Sequence, residues 1–61
     1  MNKYHIFFCF LDKDGRIERD KYEQEKYYSE VIEALSETEA LEKFYKNFEI
    51  RPEVVDIVRE K

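Results

Sequence analysis

The sequence predicts an α+β fold in which a three-stranded antiparallel sheet of order 2-1-3 carries one helix on one face. The elements follow one another as strand, strand, helix, strand. Three observations predict it: an N-terminal run that is apolar on both alternating faces, a helix start with a capping signature, and a short valine-rich run after the only proline.

The first strand is Tyr4 to Leu11. Side chains alternate across a strand, so Tyr4, Ile6, Phe8 and Phe10 share one face and His5, Phe7, Cys9 and Leu11 the other. In a chain where 43% of residues are charged, a strand without a polar face belongs in the centre of the sheet.

Asp12-Lys13-Asp14-Gly15 follows as a turn, with glycine supplying the positive φ of a tight connection. From Arg16 to Lys26 most residues are charged, which reads as a solvated hairpin arm or irregular loop. Tyr27 to Leu35 forms the second strand, and Glu30 and Glu33 suit it to an edge, where charge blocks further pairing.

Ser36 and Glu39 have the spacing of a capping box, in which the serine oxygen accepts from the N3 amide and the glutamate returns to the serine amide. Leu35 and Ala40 occupy the staple positions. Glu39 and Glu42 are followed at i+4 by Lys43 and Lys46. Ala40, Leu41, Phe44, Tyr45 and Phe48 make the apolar stripe of a helix of about a dozen residues, roughly 18 Å long. Pro52 ends that pattern, and Val54 to Val58 forms the third strand beside the first.

Sixty-one residues make one small domain, and a chain of this size buries only about 60% of its unfolded surface. An intrachain disulfide is excluded because Cys9 is the only cysteine, and one histidine with one cysteine cannot build a metal cage. The remaining supplement is self-association. The apolar run breaks at Asp12, too soon for a signal peptide core or a membrane span, so the expectation is a reducing, intracellular, cytoplasmic setting. A formal charge of -4 argues against direct nucleic-acid binding and suits a basic protein partner.

Catalytic chemistry is poorly supplied, and no cofactor or metal is expected. His5 and Cys9 lie four residues apart on a strand, roughly 13 Å, beyond proton-transfer contact. Aligning Gly15 with the sixth position of a calcium loop puts Phe10 first and Lys21 twelfth, where carboxylates are required.

Two sets of residues suit recognition instead. Phe7, Cys9 and Leu11 form the second face of the first strand and are the expected homodimer seam. Phe7 and Leu11 of two copies contribute roughly 6 to 12 kcal/mol, against an association cost of about 4 to 15 kcal/mol. Other apolar residues of the sheet must therefore add to the seam. The second set is the carboxylates Glu30, Glu33, Glu37, Glu39, Glu42 and Glu49 near Phe44, Tyr45 and Phe48: a one-sign potential with aromatic anchors for a basic groove.

With its Asp12-Lys13-Asp14-Gly15 turn, its Leu41 to Phe48 segment and its Glu53-Val54-Val55-Asp56-Ile57 strand, the chain resembles the small bacteriophage inhibitors of uracil-DNA glycosylase. The resemblance implies a non-enzymatic, DNA-mimicking homodimer that inserts a helix aromatic into the enzyme's DNA-binding groove. Phe44 and Phe48 are then the anchors, with Tyr45, Glu42 and Glu49 beside them. The Glu-Ala-Leu-Glu-Lys-Phe helix is also similar to one in a small archaeal large-subunit ribosomal protein, which implies RNA binding. The segment Asn47 to Pro52 lacks the basic glycine loop that reading requires, so it stands second. A third possibility is an interaction subunit with an unrelated partner.

Overall fold

The computed structural model describes residues 1–61. Its elements are β1 (Asn2–Cys9), β2 (Tyr28–Ala34), α1 (Glu37–Tyr45) and β3 (Glu53–Arg59). They form a three-stranded sheet of order β2-β1-β3, antiparallel throughout, with the one helix on one face. The doubly apolar strand is central, as its composition requires. Its bounds differ from the expected Tyr4 to Leu11: pairing starts two residues earlier and ends at Cys9.

Register decides what each face holds. Opposite β2, Tyr4 faces Ile32, Ile6 faces Glu30 and Phe8 faces Tyr28. Opposite β3, Ile6 faces Ile57, and an irregularity between Phe7 and Phe8 leaves Val55 without a partner. This bulge locally interrupts the β3 ladder and increases twist.

The helix covers the Tyr4, Ile6 and Phe8 face. Buried residues of this core are Tyr4, Ile6, Phe8, Ala34, Ala40 and Phe44, with Phe10, Tyr28, Ile32, Leu41, Tyr45, Phe48, Val54 and Ile57 packed around them. Phe8 is the hub, its ring centroid 4.9 Å from Phe44 and 5.5 Å from both Tyr28 and Phe48. Tilted and offset aromatic pairs of this kind add about 0.5 to 1.5 kcal/mol each beyond the area they bury.

The helix has nine residues rather than a dozen, about 14 Å at 1.5 Å per residue. Its start is half the expected capping box. Ser36 Oγ accepts from the Glu39 amide at 3.2 Å, but the Glu39 carboxylate turns outward to Lys43 at 3.1 Å. The staple is open, because Leu35 stays 68% exposed, and no ion pair joins Glu42 to Lys46.

The charged segment is not an irregular loop. Asp12 Oδ1 accepts from the amides of Asp14 and Arg16, both at 2.9 Å, and eight residues on Asp20 Oδ1 accepts from Tyr22 at 2.8 Å and Gln24 at 3.1 Å. The backbone repeats as well. Gly15 donates to the Asp12 carbonyl and Glu23 to the Asp20 carbonyl, while Glu18 donates to Phe10 and Lys26 to Glu18. Isolated bridges join Leu11 to Ile17 and Arg19 to Glu25. The arm is thus two stacked copies of one aspartate-nucleated turn, each with a positive φ at its fourth position, Gly15 at 79° and Glu23 at 65°.

Candidate functional site

No cavity is present and no three His, Cys, Asp or Glu side chains converge to hold a metal ion, and the chain presents flat surfaces. No helix is long and apolar enough to cross a membrane.

The first surface is the sheet face away from α1. His5 stands between Val31 and Val58 in register, and Phe7 between Ser29 and Asp56. Phe7 is 39% exposed, Val31 51% and Val58 47%, so the apolar patch runs across all three strands. His5 Nε2 lies 3.8 Å from Glu60 Oε2 at one margin, and Lys3 stands opposite Glu33 at another.

The expected seam of Phe7, Cys9 and Leu11 is corrected at two positions. Cys9 is 1% exposed, already covered within the chain, and cannot touch another molecule. Burial pushes its thiol up from the ordinary value, and the nearby carboxylates of Glu53 and Glu25 push it the same way. Leu11 is exposed but lies past the end of β1, bridged to Ile17 in the first turn of the arm. Within β1 only Phe7 of the three stays exposed on this face, with Val31 and Val58 as the neighbours that single-strand reasoning missed. The signal for them was present: both are β-branched residues on the parity of Phe7 once the order 2-1-3 is known.

The second surface is acidic. Between Lys26 and Lys43 the chain holds Glu30, Glu33, Glu37, Glu39 and Glu42 and no lysine or arginine. These residues lie on β2 and α1, with Glu30 on the helix-bearing face of β2, Glu33 on the open face, and Glu37 and Glu42 exposed on the helix. Only Glu39 has a cationic partner. By contrast, the arm interleaves five basic residues with six acidic ones between Asp12 and Lys26, so neither sign forms a continuous field there.

The aromatic anchors do not all reach this surface. Phe44 is fully buried, touching Phe8, Tyr45 and Phe48, and serves the core. The helical stripe that suggested an anchor is the stripe that packs on the sheet. Tyr45 is half-buried under the Arg51 guanidinium, 4.1 Å from the ring centroid, and Phe48 is half-buried against Phe10 and Phe44. Glu42 and Glu49 are exposed as expected. Ile50, next to Glu49, is 76% exposed. It was overlooked because it lies outside any helical or strand period.

Comparison with protein families, with curated proteins and with solved structures finds no match to this chain.

Proposed function

We propose that the chain is a non-enzymatic binding protein that acts as a homodimer in the reducing interior of a cell and blocks the DNA-binding groove of a DNA-handling enzyme. The leading candidate is uracil-DNA glycosylase. The observation that carries this reading is the run of five carboxylates from Glu30 to Glu42, uninterrupted by lysine or arginine in the sequence and contacted by Lys43 alone, at Glu39 and the Glu33 carbonyl, on a surface with no cavity. A groove built to neutralise phosphates meets in that run a local excess of negative charge. Because Phe44 is occupied in the core, the apolar contact falls to Ile50 and the exposed part of Phe48, beside Glu49.

The test is a uracil-excision assay with purified glycosylase and increasing amounts of the chain. Stoichiometric inhibition that weakens in Glu37→Lys and Glu42→Lys, and strengthens as salt is lowered, is the expected result. Unchanged excision at a large molar excess and low salt removes the inhibitor reading.

A further inference from the structure

The hydrogen-bond polarity of the sheet shows which backbone groups remain unpaired. The Lys3 carbonyl accepts from the Glu60 amide, one residue beyond β3, so odd-numbered residues of β1 bond toward β3 and even-numbered ones toward β2. Tyr28, Glu30 and Ile32, which face Phe8, Ile6 and Tyr4, therefore exchange bonds with β1. Ser29, Val31 and Glu33 turn their N–H and C=O groups outward at the edge.

Two side-chain contacts agree with this assignment. Lys43 Nζ reaches the outward Glu33 carbonyl at 3.0 Å. On the opposite edge, Ile57 faces the even-numbered Ile6, and its outward amide donates to Asp56 Oδ1 at 2.8 Å. The β3 edge is thus occupied by a carboxylate and broken by the bulge at Val55. On β2, Ser29 and Val31 keep both backbone groups free, and only the Glu33 carbonyl has a partner.

We infer that a second copy of the chain pairs antiparallel with this outer edge of β2, Val31 lying on the two-fold axis. The register follows from strand overlap and charge, Val31 being the middle residue of β2. A two-fold through Val31 sets Ser29 against Glu33, Glu30 against Ile32 and Tyr27 against Leu35 of the other copy. Within β2 no like charges meet, and all seven residues of the strand find partners. It also covers Tyr27 and Leu35, 53% and 68% exposed, with each other. Centring on Glu30 or Glu33 sets each glutamate against itself, and centring on Ser29 carries Val31, Ile32, Glu33 and Ala34 past Tyr28, out of the strand. Centring on Ile32 sets Glu33 against Val31 and moves the end pairs beyond the strand. In the favoured register every outward backbone group from Ser29 to Glu33 gains a partner, the Glu33 carbonyl accepting a second bond beside that from Lys43.

The product is a continuous six-stranded sheet of order β3-β1-β2-β2-β1-β3 with both helices on one side. Glu30 and Glu33 of both copies then flank the two-fold, on opposite faces of the sheet. This interface gives the proposed homodimer its geometry and is independent of which enzyme is blocked. A dimer of this kind that leaves uracil excision unaffected removes the inhibitor reading alone.

Sedimentation equilibrium with amide exchange tests it. The wild-type chain is expected at twice 7.6 kDa, with slow exchange at the Ser29, Val31 and Glu33 amides. Val31→Pro deletes an outward N–H without removing a bond to β1 and is expected to give a folded monomer. Phe7→Glu, on the open face, is expected to remain dimeric. A wild-type monomer at about 1 mM overturns the inference, as do fast exchange of those three amides in a dimer, or a dimer lost in Phe7→Glu and kept in Val31→Pro. The exchange measurement decides the matter even where Val31→Pro does not fold.

Discussion

The sheet-and-helix body and the charged arm are ordered by opposite means. In the body, order comes from burial: Ile6, Phe44, Ala34 and Ala40 are wholly removed from water, and six aromatic rings meet in the cluster built on Phe8 and Phe44. The arm from Asp12 to Lys26 has only Ile17, Asp20 and Lys26 even partly buried, yet its backbone follows one turn geometry twice. Its order comes from two carboxylates, each satisfying two amides. A body of the first kind melts as a unit, because every ring depends on its neighbours. An arm of the second kind opens turn by turn.

The largest effect belongs to Phe44→Ala. Truncating a wholly buried phenylalanine costs about 3 to 5 kcal/mol, against a total stability for a chain of this length of roughly 3 to 9 kcal/mol. The variant is expected to lose its cooperative urea transition by circular dichroism, the arm unfolding with the body. A sharp transition with a nearly unchanged midpoint would show that the ring cluster is not the stabilising unit.

Asp20→Ala probes the arm alone. Loss of two charge-assisted bonds to the Tyr22 and Gln24 amides is expected to cost about 1 to 3 kcal/mol of local order, with little change in the midpoint of global unfolding. Amide exchange should rise at Tyr22, Glu23 and Gln24 and stay slow in β1. Cys9 supplies a second readout, because Glu25 of the same turn is close enough to raise its thiol pKa. Alkylation of Cys9 is expected to be slow in the native chain, where the thiol is buried and its pKa raised, and to accelerate in Asp20→Ala. An unchanged alkylation rate would mean that the second turn does not cover the thiol.

The two turns differ at the residue with positive φ, which gives a smaller and opposite effect. Gly15 takes φ 79° without a side chain to strain, while Glu23 holds φ 65° with one. Glu23→Gly is expected to stabilise the second turn by about 0.5 to 1 kcal/mol after the added freedom of the unfolded chain is subtracted. Gly15→Ala should weaken the first, although a Cβ there meets nothing within 4 Å. Amide-exchange rates at Gln24 and Arg16 report the two changes. Equal loosening by both substitutions would locate the strain elsewhere.

What the sequence made legible divides along the same line. The order 2-1-3 followed from Tyr4 to Leu11, since a strand apolar on both faces has only the centre to occupy, and the Ser36 start of the helix followed from its spacing with Glu39. Both are burial or capping signals written in residue type. The arm was not legible, because its two turns share little beyond Asp12-Lys13 and Asp20-Lys21, and composition registers the charge of an aspartate rather than the amides its carboxylate accepts. Phe44 was ambiguous for a different reason. A helical stripe marks residues that need cover without saying whether the sheet or a partner supplies it, and only the position of Phe8 beneath the ring decides for the core. Val31 was hidden by topology, since its outward amide follows from which carbonyl of β1 meets Glu60.

The smallest effect is the pH response of the first turn, and its sign is fixed by the hydrogen bonds. Asp12 is held below its ordinary value of 3.8, chiefly by the Arg16 amide, with the Asp14 amide and the Arg16 charge acting in the same direction against the cost of desolvation. A depressed carboxylate pKa means that the folded turn binds its proton less readily than the unfolded chain, so the contribution is fully present above about pH 4 and is lost as pH falls through the folded value. The carboxylate is wholly exposed, and solvent screening keeps the effect small. Titration followed by amide resonances should therefore show Asp14, Gly15 and Arg16 loosening below pH 4 while the β1 amides hold their shifts. Asp12→Asn keeps an oxygen that accepts the same amides but removes the titration, so its Arg16 resonance should be flat across that window. If the wild-type and Asp12→Asn turns loosen together, protonation elsewhere in the chain drives the change and the first turn is not held by its own carboxylate.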